Sequence, residues 1–311
     1  MINWFLKNII KHSGKKIIFP FYHIISDEDC PHVKHLYPIK RIENFEKELD
    51  FLQKQYRPMD LEELMLHIHQ NTQPKEPSFF LTFDDGLREC YTVIAPILNK
   101  RNIPAAFFLN TAFVGNKDLF YRYKISLIID KLQNTKQNIR ISSEELLKLT
   151  HTDIPKINAI AKELDLDFYE FLQKEKPYMN WREIEELKDQ GFYFGGHSVN
   201  HPLYKLISLE EQIEQTQTSV TEVKEKLNLD YKIFSFPFTD DGVKNDFFKS
   251  VFEENSCDLT FATQRMKTDE FPQNIHRFGL EPNINSVEIF FLKRYSIYLL
   301  NSFFNKNKII R

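Results

Sequence analysis

Residues 79–86 read Phe79-Phe80-Leu81-Thr82-Phe83-Asp84-Asp85-Gly86, a short apolar run that ends in two carboxylates and a glycine. A run of this length, rich in aromatic and β-branched residues and bounded by a turn signal, has the signature of a buried strand. A helical stretch then reaches Lys100, and a second apolar run follows over 105–110. Strand, helix and strand make a βαβ unit whose acids stand at a strand's C-terminal end, where α/β folds carry their chemistry.

The pattern continues on both sides. Upstream, 17–22 is a short apolar run that predicts a first strand ending at His23, and 44–55 and 61–69 have helical spacing, the second with Asp60 as its N-cap. Downstream, Asn180-Trp181-Arg182-Glu183 resembles a capping box, opening a helix that Gly191 closes. A strand over 192–194 enters Gly195-Gly196-His197, and helix and strand alternate through 209–227, 231–236, 246–254 and 259–262. Such alternation predicts a parallel barrel or a doubly wound sheet. Residues 116–179 read as polar helices inserted into one domain that spans 1–311, since no Pro-, Gly- or Ser-rich linker divides the chain.

Charge is unevenly spread. Residues 1–16 and 289–311 carry +4 and +5 with no acid, against a chain total of −3, so the body between them carries −12. An acidic body argues against a nucleic-acid groove. The basic ends, 1–16 and 287–311, alternate large apolar residues with Lys or Arg. They predict either amphipathic segments lying on a membrane or helices packed on the body with basic faces outward. Cys30, Cys90 and Cys257 suggest neither a disulfide framework nor a thiolate metal site. With no secretory signal pattern at residue 1, the expectation is a cytoplasmic protein, on the inner face of the membrane if the ends bind it.

Adjacent carboxylates such as Asp84 and Asp85 are costly to ionise together unless a cation is near. His197-Ser198-Val199-Asn200-His201 offers two imidazoles that face the same way if the segment makes one helical turn. Two His and one carboxylate, with positions left open, form a hydrolytic metal arrangement that Zn²⁺ commonly uses. Taken separately, Asp-Asp-Gly reads as a turn and cap and His-x3-His as a surface pair; together, at two strand ends, they read as a metal site.

At these residues the chain resembles the polysaccharide deacetylases, carbohydrate esterase family 4. Leu81-Thr82-Phe83-Asp84-Asp85-Gly86 and Gly196-His197-Ser198-Val199-Asn200-His201-Pro202 are similar to that family's first two motifs, in the same order. The resemblance covers roughly 17–281, apart from the insertion, and implies a distorted (β/α) barrel of about seven parallel strands. It implies one divalent metal, zinc first with cobalt, nickel or manganese as alternatives, held by Asp85, His197 and His201. Asp84 is then the general base, and the activity is N-deacetylation of a carbohydrate.

The chain departs from the family pattern in two places. Where many members have Arg-x-Pro-Tyr, this one has Ser235-Phe236-Pro237-Phe238, so the arginine that orients the base is absent. Arg277 is the candidate replacement, and a backbone N–H near Pro237-Phe238 the candidate oxyanion donor. No Leu-x-His motif supplies the general acid. Phe21-Tyr22-His23 resembles the Tyr-His segment of the poly-N-acetylglucosamine deacetylase branch, which makes His23 the expected acid and His276 the reserve. The remaining histidines, His32 among them, read as surface residues, and Asp240 and Asp241 as a solvated turn. A related amidase on a small C–N substrate and a non-catalytic glycan-binding relative stay open. A non-haem iron oxygenase is disfavoured by the unligated Asp84.

Overall fold

A computed structural model describes residues 2–135, 141–280 and 286–311. Residues 136–140 of the expected insertion, and 281 at the end of the expected core, lie outside the described residues.

Eight short parallel segments form the central sheet: β1 (Pro20–Tyr22), β2 (Leu81–Phe83), β3 (Ala105–Leu109), β4 (Tyr193–Gly196), β5 (Ile233–Ser235), β6 (Leu259–Ala262), β7 (Asn274–His276) and β8 (Phe278–Gly279). Their order is β7-β6-β5-β4-β3-β2-β1-β8. The two ends of this order are one stretch of chain. Residues 274–276 pair with β6, residues 278–279 pair with β1, and Arg277 stands at the changeover. The sheet therefore curls back on itself as a (β/α) barrel, and the expected seven strands become eight segments because the last is split at Arg277.

Helices α1 (Ile2–His12), α2 (Ile42–Gln55), α3 (Leu61–His69) and α4 (Ala95–Arg101) precede the insertion. The insertion carries α5 (Tyr121–Asn134), α6 (Ser143–Leu147), α7 (Ile154–Glu163) and α8 (Phe168–Glu175). After it come α9 (Trp181–Asp189), α10 (Leu209–Leu227), α11 (Asn245–Glu253) and α12 (Val287–Phe303). Local chemistry sets the helix ends as expected: Asp60 accepts from the Glu63 N–H, and Asn180 and Glu183 form a reciprocal capping box. Gly191, at φ +95°, then lets the chain turn back towards β4.

Side chains alternate across each strand, which separates two cores. Phe80, Phe108, Ile233, Phe261 and Ile275 cluster inside the barrel. Their neighbours Phe79, Phe83, Phe107 and Phe194 pack outward with helix residues such as Phe45, Ile184 and Val223. Two glycines keep both layers close at β4. A Cβ on Gly195 would meet the Ile233 carbonyl oxygen at 2.5 Å, and one on Gly196 would meet Ser219 Oγ of α10 at 2.6 Å.

The insertion has a core of its own, built with the loop after β1: Ile24, Cys30 and Val33 pack with Phe120, Tyr123, Ile128, Ile157 and Leu172. His32 belongs there too, which corrects its reading as a surface residue. It is buried, with its ring 5.3 Å from that of Tyr123 and 5.7 Å from that of Phe171. A second correction concerns Asp240. It is fully buried and paired with Arg311, because residues 308–309 run parallel to 268–269 and bring the Arg311 guanidinium inward.

Burial pushes the His32 imidazole down from 6.5 to about 4. The unfolded chain therefore takes up this proton first, so the contribution of neutral His32 is complete above pH 6.5 and is lost as pH falls towards 4. Urea melts are expected to show a loss on the order of 3 kcal/mol across that window. His32→Phe should flatten it; identical slopes in both proteins would place the titrating group elsewhere.

Candidate metal and catalytic centre

The barrel places the expected site residues, most of them polar, at the C-terminal ends of its strands. His23 follows β1, Asp84 and Asp85 follow β2, Asn110 follows β3, His197 follows β4 and Phe236-Pro237-Phe238 follows β5. Asp85 and Gly86 both adopt left-handed backbone, at φ +71° and +65°. Asp tolerates that region better than most residues, and glycine enters it freely.

The segment from His197 to His201 is a loop rather than the helical turn considered from its spacing. Ser198 and His201 have φ values of +66° and +61°, and the His201 N–H donates to Ser198 Oγ over 3.0 Å. Neighbouring elements hold this loop in place. Ala112 N–H donates to the Val199 carbonyl, Val199 N–H donates to Gln215 of α10, and the Asn110 side-chain amide donates to the His197 carbonyl.

Asp85 Oδ1 lies 3.4 Å from Nε2 of both His197 and His201, and all three side chains are buried. His197 Nδ1 is 2.8 Å from the Ser235 carbonyl oxygen. A carbonyl accepts only, so Nδ1 carries the proton and Nε2 presents its lone pair to the site. Among the described residues, Asp85 Oδ1 and His197 Nε2 have no hydrogen-bond partner. Burial pushes the His201 imidazole down, which favours its neutral, ligating form. One carboxylate oxygen and two imidazole nitrogens, converging within 4.8 Å of one another, fit a divalent metal such as Zn²⁺. Burial raises the Asp85 carboxyl, but the adjacent His197 and His201 imidazoles outweigh it and hold the group well below the usual carboxylate range.

Asp84 has a different partner. Arg277, fully buried, donates to both of its oxygens at 2.9 and 2.7 Å. The same guanidinium donates to Thr82 Oγ1 at 2.8 Å and Ser235 Oγ at 2.6 Å, and it lies 4.7 Å from the Phe21 ring centroid. Burial raises Asp84, yet Arg277, followed by His197 and His23, outweighs it and keeps the carboxyl below its ordinary range. Each oxygen retains a second lone pair beyond the one Arg277 uses.

The other expected residues divide. His23, half-buried, lies 5.3 Å ring to ring from Tyr37 and is near enough to Asp84, Asp85 and His201 to influence their ionisation. Phe238, at φ +57°, sets its ring 4.6 Å from that of His201. Pro237 has no N–H, so of that pair only Phe238 can donate. His276 does not join the site, which corrects its place as reserve acid. It neighbours the inward-pointing Arg277 on a strand and therefore points out of the barrel. It is fully buried there, with Nε2 2.9 Å from Asp269 Oδ2 and Nδ1 accepting from the Gln264 N–H. Asp240, Asp269 and His276 form a second cluster of potential ligands, but Arg311 already supplies its positive charge by pairing with both carboxylates.

Two site residues come from the insertion and carry no motif. Tyr123 of α5 donates to Asp85 Oδ2 at 2.7 Å, and the Phe120 ring lies 4.2 Å from that of His201. An aromatic run at 120–123 was the only sign in the sequence, and such runs serve cores far more often than sites.

The family described as polysaccharide deacetylase matches residues 71–140 and 146–253, and the chain belongs to that family. Its fold is similar to three solved structures. The Streptococcus pyogenes deacetylase PplD in complex with acetate is 18% identical with a TM-score of 0.58, over 90% of this chain and 98% of that one. IcaB from Ammonifex degensii is 16% identical with a TM-score of 0.59, over 92% and 98%. A de-N-acetylase from Aggregatibacter actinomycetemcomitans is 14% identical with a TM-score of 0.57, over 90% and 99%. No curated protein matches the chain in sequence.

Removing the Tyr123 hydroxyl leaves Asp85 Oδ2 without its 2.7 Å donor. Partners of this kind orient a ligand, and their loss typically weakens metal binding about 10- to 100-fold. Tyr123→Phe is expected to raise the Zn²⁺ dissociation constant by about 10-fold or more in a chelator competition titration. An unchanged constant would show that Asp85 is held without it.

Proposed function

We propose that this chain is a metal-dependent N-deacetylase that removes acetyl groups from an acetamido sugar in a polysaccharide or lipid-linked glycan. The observation that carries this reading is the pairing of two differently treated carboxylates. Asp85 faces two imidazoles, while Asp84 beside it is kept anionic by Arg277.

Asp85, His197 and His201 would hold the metal, with zinc preferred for a donor set of two nitrogens and one oxygen. When bound, the metal supplies Lewis acidity, polarising the amide carbonyl and lowering the pKa of water. The chain's own groups perform the remaining steps. Asp84 accepts the proton of the attacking water, and Arg277 fixes the carboxylate's orientation and keeps it unprotonated until then. The Phe238 N–H donates to the oxyanion as the carbonyl carbon becomes tetrahedral. His23 delivers a proton to the nitrogen of the departing amine, which leaves the sugar amine and acetate.

The presence of Arg277 against Asp84 supports this reading over that of a non-catalytic relative, since the missing Arg-x-Pro-Tyr arginine has a counterpart beside Asp84. Acetate release from N-acetylglucosamine oligomers and lipid-linked acetamido glycans is expected with zinc or cobalt, and chelation should abolish it. Asp84→Asn should lower kcat by at least about 100-fold and His23→Ala by a similar factor. Full activity in His23→Ala would move the acid elsewhere. A metal-loaded protein that released no acetate from any such substrate would overturn the reading.

A further inference from the structure

Helix α12 has two apolar faces, only one of which the barrel uses. Phe291 and Tyr295 are buried against the body in the same core as Leu6 and Ile10 of α1, so the two helices lie side by side. On the other side, Ile289, Lys293, Ile297, Leu300 and Phe304 follow one another at spacings of four, four, three and four residues, and every one is exposed. That spacing lines them up as one stripe along the helix. A surface helix in a soluble body needs one apolar face, so a second one is a surface awaiting a partner.

The surroundings of the stripe define that partner's chemistry. Phe303 and Ile310 are more than 80% exposed, and Trp4 and Phe5 of α1 are also exposed. Lys293, Lys306 and Lys308 project among them, with Lys7 and Lys11 on α1, and neither 1–16 nor 289–311 contains an acid. Trp4, Lys7 and Lys11 share the side of α1 turned away from Leu6 and Ile10. The body between these segments carries a net negative charge, so the two terminal segments stand out as basic stretches without acids. Exposed Trp, Phe and Leu interleaved with unopposed lysines complement a surface that is apolar beneath and anionic above, which is an anionic lipid monolayer. Among the described residues no helix is long and apolar enough to cross a membrane.

We infer that α1 and α12 together form a docking face by which the protein lies on an anionic membrane, with the Ile289–Phe304 stripe and Trp4 inserted and the lysines at the headgroups. This inference does not rest on the deacetylase reading, and its test needs neither metal nor substrate. The full chain is sedimented with vesicles of phosphatidylcholine, with or without phosphatidylglycerol. Binding to the anionic vesicles that weakens with added salt is expected, together with at least a ten-fold loss for the triple variant Ile297→Ser, Leu300→Ser, Phe304→Ser and for Lys293→Glu. Near-UV circular dichroism checks that the variants stay folded. A wild-type chain that remains in the supernatant with anionic vesicles would overturn the inference. So would a dimer in sedimentation equilibrium that the triple variant converts to monomer, since a second copy would then be the occupant of the stripe.

Discussion

The barrel closes on a buried ion pair. Its last stretch, 274–279, bonds to β6 with its first half and to β1 with its second, and Arg277 at the changeover sends its side chain across the interior to Asp84. Burying two charges costs several kcal/mol each, and the cost is recovered only where geometry is good and the remaining donors are satisfied. Here the contact is bidentate, Thr82 and Ser235 take two further N–H groups, and aromatic rings enclose the plane, so that only the Nε–H lacks a partner among the described residues. Ser235 also explains how the pair is accommodated. It stands where the family pattern has arginine, and its small side chain leaves the volume that the Arg277 guanidinium occupies. Arginines at both 235 and 277 would bring two cations into one pocket.

The same closure separates the duties of the adjacent carboxylates. Asp84 continues the inward alternation of β2 and meets Arg277, while Asp85, on left-handed backbone, is directed to His197, His201 and Tyr123. Arg277 neutralises Asp84, which relieves the repulsion that the adjacent Asp85 would otherwise meet. Ser235 serves both halves. Its hydroxyl accepts from Arg277 and its carbonyl accepts from His197 Nδ1, so the partner of Asp84 and the imidazole are referenced to a single residue.

Much of this was legible in the sequence because it is local. The 79–86 run, the Gly-Gly-His entry and the capping residues act within a few positions, and alternation then reveals the barrel. Arg277 was reachable because the missing arginine at 235–238 left a requirement that some distant residue had to meet. What stayed hidden depends on contacts between remote segments. Tyr123 reaches Asp85 only because the insertion folds over the barrel mouth on its own core, and His32 is buried only because that core needs it. Asp240 looked solvated because its partner, Arg311, lies 71 positions away. His276 was mistaken for a reserve acid because the alternation that turns it outward is set by Arg277 next to it.

Closure of the barrel and the state of Asp84 both require Arg277 and Asp84 to act as one unit. A double-mutant cycle with Arg277→Met, Asp84→Asn and the pair together, read as unfolding free energy in urea, measures that coupling without a substrate. Either single change leaves a buried charge unpaired, so the two effects are expected to be strongly non-additive, with a coupling of about 2 kcal/mol or more. Effects that add within about 0.5 kcal/mol would contradict it.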